Sequence, residues 1–199
     1  RWGGAAEDLK FAGAMPGVKF ALGENVTRKN SSTLTTRYPI SRMGVPEIML
    51  DTFTRARDYE RGLADFRSGS TLLPPRRDLR MEAALEMLRG ERIIHIHSYR
   101  QDEILAFIRL AQQLKLTVGT FQHILEGYKV ADQIAAIGAG GSCFADWWNY
   151  KHEVLDAIPY DGALMRAAGV VVSFNSDDDE LARHLNTEAA KAVKYGGVP

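Results

Sequence analysis

From residue 92 onward the sequence changes its apolar period at short, regular intervals, and this rhythm constrains the fold more than any other feature. The run "RIIHIH" (92–97) reads as a strand and "RQDEILAFIRLAQQLK" (100–115) as a helix. Next come "LTVGTFQH" (116–123), a strand, and "GYKVADQIAAIG" (127–138), a helix. "GGSCFA" (140–145) reads as a short strand, "DGALMRAAG" (161–169) as a helix ending in glycine, "VVVSFNSD" (170–177) as a strand and "DELARHLNTEAAKAVKYGG" (179–197) as a helix. Upstream, "GVKFAL" (17–22) is a strand and 23–42 a polar, turn-rich loop. Residues 44–66 form a helix that tolerates Pro46 in its first turn, and 78–90 a helix with Asp78 as N-cap and Gly90 at its stop. Strands alternating with helices predict an α/β fold with a parallel sheet or a β/α barrel. Nothing recurs at a fixed long period, which excludes a solenoid.

Composition narrows the function classes. Charged residues make up 25% and balance to a formal net charge of zero, so no basic surplus points to nucleic acid. No apolar run reaches the roughly 18 residues of a membrane span. A lone cysteine, Cys143, excludes an internal disulfide framework. The chain opens on Arg1 without a signal-like segment and closes on Pro199 just after a helical pattern, so both ends read as cuts in a longer protein. The compartment therefore stays open.

Polar residues gather where the strands end. Lys19 and "GEN" close the first, His97-Ser-Tyr-Arg the second, His123 the third, "ADWWNYKHE" follows the fourth, and "NSDDDE" closes the last. β/α folds build their sites at these C-terminal strand ends. Two histidines and an acid arriving from three strands suit a divalent metal such as zinc. His95 and His97 share one face of their strand, since i and i+2 project together. His95 lies one layer deeper and reads as a core or supporting histidine rather than a ligand.

Lys19 interrupts an apolar strand, where an ammonium is costly unless it pairs with an acid such as Glu24. Asp177 opens "DDD", and Asp178 and Asp179 suit the capping of the last helix. Tyr99 and Arg100 are candidates for binding a substrate carboxylate, Arg by its planar fork, or else sit on a helix N-terminal surface. Trp147, Trp148, Tyr150, Lys151 and His152 form an aromatic, basic loop that either lines a pocket mouth or packs as a loop. His184 reads as a surface or packing residue. Gly138, Gly140 and Gly141 lack the Lys-Ser/Thr that a phosphate loop needs.

His97 and His123 are 26 residues apart, one β/α unit, and His123 and Asp177 are 54 apart, two units. This order, with "HSYRQDEI", "FQHILEGYKVAD", "VVSFNSDDDE" and "PGVKFALGEN", resembles the amidohydrolase superfamily, in particular members related to imidazolonepropionase and to prolidase-type enzymes. The resemblance implies a metal-dependent hydrolase on a (β/α)8 TIM-type barrel, of which residues 1–199 would supply the fourth to eighth strands as one partial domain. The first three strands, their His-x-His pair and the accompanying β-sandwich would lie outside this chain.

It further implies one or two divalent ions, most simply zinc. The ligands would be His97, His123 and Asp177, with Lys19 carbamylated as a bridge in two-metal members. Asp177 would act as general base and then general acid, and His123 or a nearby donor would stabilise the oxyanion. The bond cleaved would be a C–N bond of an amide, a cyclic amide or a dipeptide with a free carboxylate. A one-metal deaminase would use the same His, His and Asp without Lys19. A barrel fragment that needs its N-terminal part would be inactive alone. Open strand edges predict a homo-oligomer.

Overall fold

The computed structural model describes residues 3–27, 38–145 and 149–199. Five strands, β1 (Gly17–Ala21), β2 (Ile93–His97), β3 (Val118–Gln122), β4 (Gly140–Cys143) and β5 (Val172–Phe174), form one sheet in sequential order. Every neighbouring pair is parallel. The parallel sheet expected from the alternating pattern is therefore present.

Seven helices accompany it among the described residues: α1 (Glu24–Thr27), α2 (Gly44–Arg67), α3 (Leu79–Leu88), α4 (Gln101–Leu114), α5 (Ala131–Ala136), α6 (Asp161–Ala167) and α7 (Leu185–Gly196). The α3 start follows its sequence signal: Asp78 accepts hydrogen bonds from the Arg80 and Met81 amides. Helix α4 buries Ile104, Phe107, Ile108, Ala111 and Leu114, a stripe of helical period. It ends at Lys115 in the left-handed conformation, φ 60°.

Right-handed crossovers that always step to the next strand in the same direction place their helices on one face of a sheet. The strand alternation agrees. Ile94, Ile96, Phe121 and Cys143 are fully buried and belong to the core, where the Phe107 ring meets Phe121 edge-on at 6.2 Å. The intervening positions are polar: Lys19, His95, His97, Thr120, Gln122, Ser142 and Ser173. A register shift at Ile94/His95 lets β3 place both Gly119 and Thr120 against His95.

Several boundaries differ from the sequence reading. The 127–138 helix divides into a 3-10 turn (Gly127–Lys129) and α5. Its 179–197 counterpart divides into a 3-10 turn (Leu181–His184) and α7. The strand expected over 170–177 is regular only at Val172–Phe174, leaving Asn175, Ser176 and Asp177 beyond the ladder. The polar stretch 23–42 contains α1, and its residues 28–37 lie outside the described residues. No described helix is long and apolar enough to cross a membrane.

Candidate active site

The C-terminal ends of β2, β3 and β5 bring three of the expected site residues together. His97, the last residue of β2, is buried at 5% exposure. Its ring lies 5.1 Å from that of His123, centroid to centroid. The Nε2 of His97 is buried without a hydrogen-bond partner. A buried imidazole nitrogen left bare costs about 1–3 kcal/mol, so it calls for an explanation. Burial pushes the His97 pKa down to about 4, helped by the neighbouring His123 and by Lys19 and Lys151, against the pull of Glu153.

His123 follows β3 in the left-handed conformation, φ 56°, and Asp177 follows β5 at φ 50°. Among the described residues only Lys115 and Asn149 are other non-glycine positions with positive φ. Such backbone strain concentrates at functional sites because the surrounding fold must enforce it. The His123 ring stacks on Phe144 at 5.2 Å, and its Nδ1 is 2.9 Å from the Asn175 Oδ1. Its Nε2 is 4.0 Å from the Asp177 carboxylate. Burial lowers the His123 pKa, while Asp177 and the Asn175 hydrogen bond oppose that shift. Gln122, His123, Ser142, Asn175, Ser176 and Asp177 line an open cleft of about 310 Å³, with Phe174 and Leu185 as apolar walls.

Tyr99 joins this cluster: its ring meets His97 edge-on at 4.5 Å and is buried. Its hydroxyl is 3.3 Å from that of Tyr150, and burial raises its pKa. The Lys151 ammonium lies 4.7 Å from the Tyr99 ring centroid and 2.6 Å from Glu153. Glu153, buried at 1% exposure, also accepts from Arg42 at 2.8 Å, and Arg42 reaches Glu103 at 2.8 Å. Sequence reasoning missed Asn175, Glu153 and Arg42. Their partners stand 52, 111 and 61 residues away, and no local pattern marks such contacts.

Other expected residues are placed differently. Lys19 is exposed and donates to the Gln122 side-chain carbonyl, so the desolvation argument for it does not hold in this arrangement. Glu24 pairs with Arg42 at 3.7 Å rather than with Lys19. Arg100 spends its fork on Asp102, at 3.0 and 3.2 Å, instead of presenting it to a substrate. His95 is half-buried, and Gly17 and Gly119 on the flanking strands leave room for its ring. Asp178 caps the following turn by accepting from the Glu180 and Leu181 amides. Trp147 and Trp148 lie outside the described residues.

As donors, His97 and His123 suit a divalent metal: both imidazoles are held neutral by burial, which is the form that ligates. The buried Nε2 of His97, without a hydrogen-bond partner, is a donor atom of the kind such an ion takes. Among the described residues, however, no three His, Cys, Asp or Glu side chains converge closely enough to hold an ion unaided. Asp177 stands beside the histidine pair with its side chain about half exposed.

Two buried groups give opposite pH dependences. With His97 lowered from 6.5 to about 4, its contribution to stability is present above about pH 6.5 and lost as pH falls toward 4. Asp161 is the reverse: burial raises its carboxyl from 3.8 to about 7, although it accepts the Tyr128 amide at 2.7 Å. Its contribution is present below about pH 4 and lost as pH rises through 7. Each slope is bounded by ~1.4 kcal/mol per pH unit. Urea unfolding between about pH 4 and 7 should show Asp161→Asn gaining stability with pH more steeply than the unaltered chain. His97→Leu should lose stability with pH more steeply. Parallel curves for all three proteins would contradict these assignments.

No family model matches the chain. In sequence it is 30% identical over 193 residues to the amidohydrolase tasK of Hapsidospora irregularis, covering 90% of this chain and 19% of that protein. In fold it is similar to the crystal structure of an amidohydrolase from Thermotoga maritima MSB8, with a TM-score of 0.79 and 25% identity. That match covers 90% of this chain and 46% of the solved one. The chain thus spans about a fifth of the curated relative and under half of the solved structure. It is similar in sequence to one protein named an amidohydrolase and in fold to another.

Proposed function

We propose that the chain carries the catalytic strand ends of a metal-dependent hydrolase that cleaves a C–N bond in an amide-type substrate, with a dipeptide bearing a free carboxylate as the first candidate. The observation that carries this reading is the buried, partnerless Nε2 of His97 beside the His123 ring, with Asp177 across from it. The polar sheet face supports the barrel half of the reading. All-parallel sheets are normally covered on both faces, and further strands curving round to close a barrel would cover this one.

His97 and His123 would hold a divalent ion, zinc by their chemistry, with Asp177 alongside and further donors from outside the described residues. When bound, the ion supplies Lewis-acid polarisation of the scissile carbonyl and a more acidic water. Asp177, exposed to the cleft, takes the proton of the attacking water and passes it to the leaving nitrogen. Tyr99 offers a phenolic O–H, kept protonated by burial, to the developing oxyanion or a substrate carboxylate. Lys151, held by Glu153, adds positive charge beside it.

Lys19 distinguishes a two-metal amidase, which needs its carbamate, from a one-metal deaminase, which does not. The test is amide hydrolysis over a dipeptide panel, before and after chelation. Turnover lost on chelation and restored by zinc is expected, with Lys19→Ala losing one of two bound metals if the site is that of a two-metal amidase. Turnover indifferent to chelation would contradict the proposal.

A further inference from the structure

The orientation of the Asn175 amide can be assigned from its neighbours. Its Nδ2 is 2.7 Å from the Ser142 Oγ and 3.4 Å from the Cys143 carbonyl. A backbone carbonyl only accepts, so the amide nitrogen must face that side. The Oδ1 is thereby turned toward the Nδ1 of His123, 2.9 Å away. An amide oxygen also only accepts, so Nδ1 must carry the hydrogen. The neutral imidazole then has no hydrogen on Nε2, the atom 4.0 Å from the Asp177 carboxylate.

Left to itself, a carboxylate at that distance would favour the opposite tautomer, with Nε2–H pointing at Asp177. The structure instead sets two acceptors against each other across the cleft, an arrangement suited to a cation between them. Phe144 stacked on the ring leaves it little freedom to turn away.

We propose that Asn175 is a positioning residue that locks His123 in the Nδ1–H tautomer and so presents a bare Nε2 to the cleft. The tautomer assignment stands on the hydrogen bonds alone; its use for metal rests on the function proposed above. One side chain ties together the ends of three successive strands: His123 after β3, Ser142 in β4, and Asn175 itself after β5. A purely structural stitch would do the same, and the experiment must separate the two roles.

Nitrogen-15 NMR of the imidazoles in the metal-free full chain, at a pH where they are neutral, reads the tautomer directly. His123 is expected as the Nδ1–H form. Asn175→Ala should shift it toward Nε2–H, whereas Asn175→Asp, which keeps an acceptor toward Nδ1, should restore Nδ1–H. Ser142→Ala removes one stitch and should leave the tautomer unchanged. Zinc titrated into the same samples should bind about 10–100-fold more weakly to Asn175→Ala than to the unaltered chain, with recovery in Asn175→Asp. A His123 found as Nε2–H in the unaltered chain would overturn the proposal even if no variant folds. A tautomer unmoved by Asn175→Ala would overturn it too. If the tautomer responds but zinc binds none of the proteins, the positioning role stands and the metal reading fails.

Discussion

Replacing Arg42 by Met is expected to destabilise the folded chain by about 3–5 kcal/mol, the usual cost of removing one partner from a buried ion cluster. Arg42 is the hub: its fork reaches Glu103 and Glu153, each at 2.8 Å, and Glu24 at 3.7 Å. Both nearer carboxylates are buried, at 7% and 1% exposure. Glu153 would keep Lys151, but Glu103 would be left with the Gly23 amide at 3.0 Å. Burial already raises the Glu103 pKa despite Arg42, so in the variant this carboxyl would take up a proton at still higher pH. A raised acid loses stability as pH rises, so the deficit should grow from acidic to neutral pH. Urea unfolding of both proteins across that range measures it. Arg77→Met is the control: the Arg77–Glu82 pair is exposed and screened by solvent, so its loss should cost far less. Equal, small losses for the two variants would show that the Arg42 cluster is not effectively desolvated.

His97→Leu should have the largest effect on function with little cost to the metal-free fold. The imidazole is buried with Nε2 unpartnered, so a leucine of similar bulk removes a desolvated polar atom and keeps the packing. Metal-free stability near neutral pH should hold or rise. Zinc-dependent stabilisation should disappear, and hydrolysis should fall by more than the ~10–100-fold that loss of an outer-shell partner costs. Thermal melts with and without zinc, paired with turnover, read both. A variant that keeps its zinc response, or unfolds without metal, would contradict the role given to His97.

The parts of the fold that were legible in the sequence are those set by local period. Strand and helix alternation gave the parallel sheet, and Asp78 marked the α3 start. Strand alternation also explains where Lys19 lies. Its apolar neighbours Val18 and Phe20 face the helices, and the lysine on the opposite face is exposed. In "RIIHIH" the two histidines do share a face, yet only His97 reaches His123, while His95 sits lower, between Gly17 and Gly119. The Arg42–Glu153 contact and the Asn175 bridge join residues 111 and 52 positions apart. They depend on strand order and crossover geometry, which no window of sequence encodes.

The central claim is that His97 and His123 form the imidazole half of a metal site. Zinc titrated into the chain while all five histidines are followed by their imidazole NMR signals tests it most directly. His97 and His123 should shift together and saturably, with His95, His152 and His184 unmoved. Surface histidines responding first, or His97 and His123 responding not at all, would contradict it.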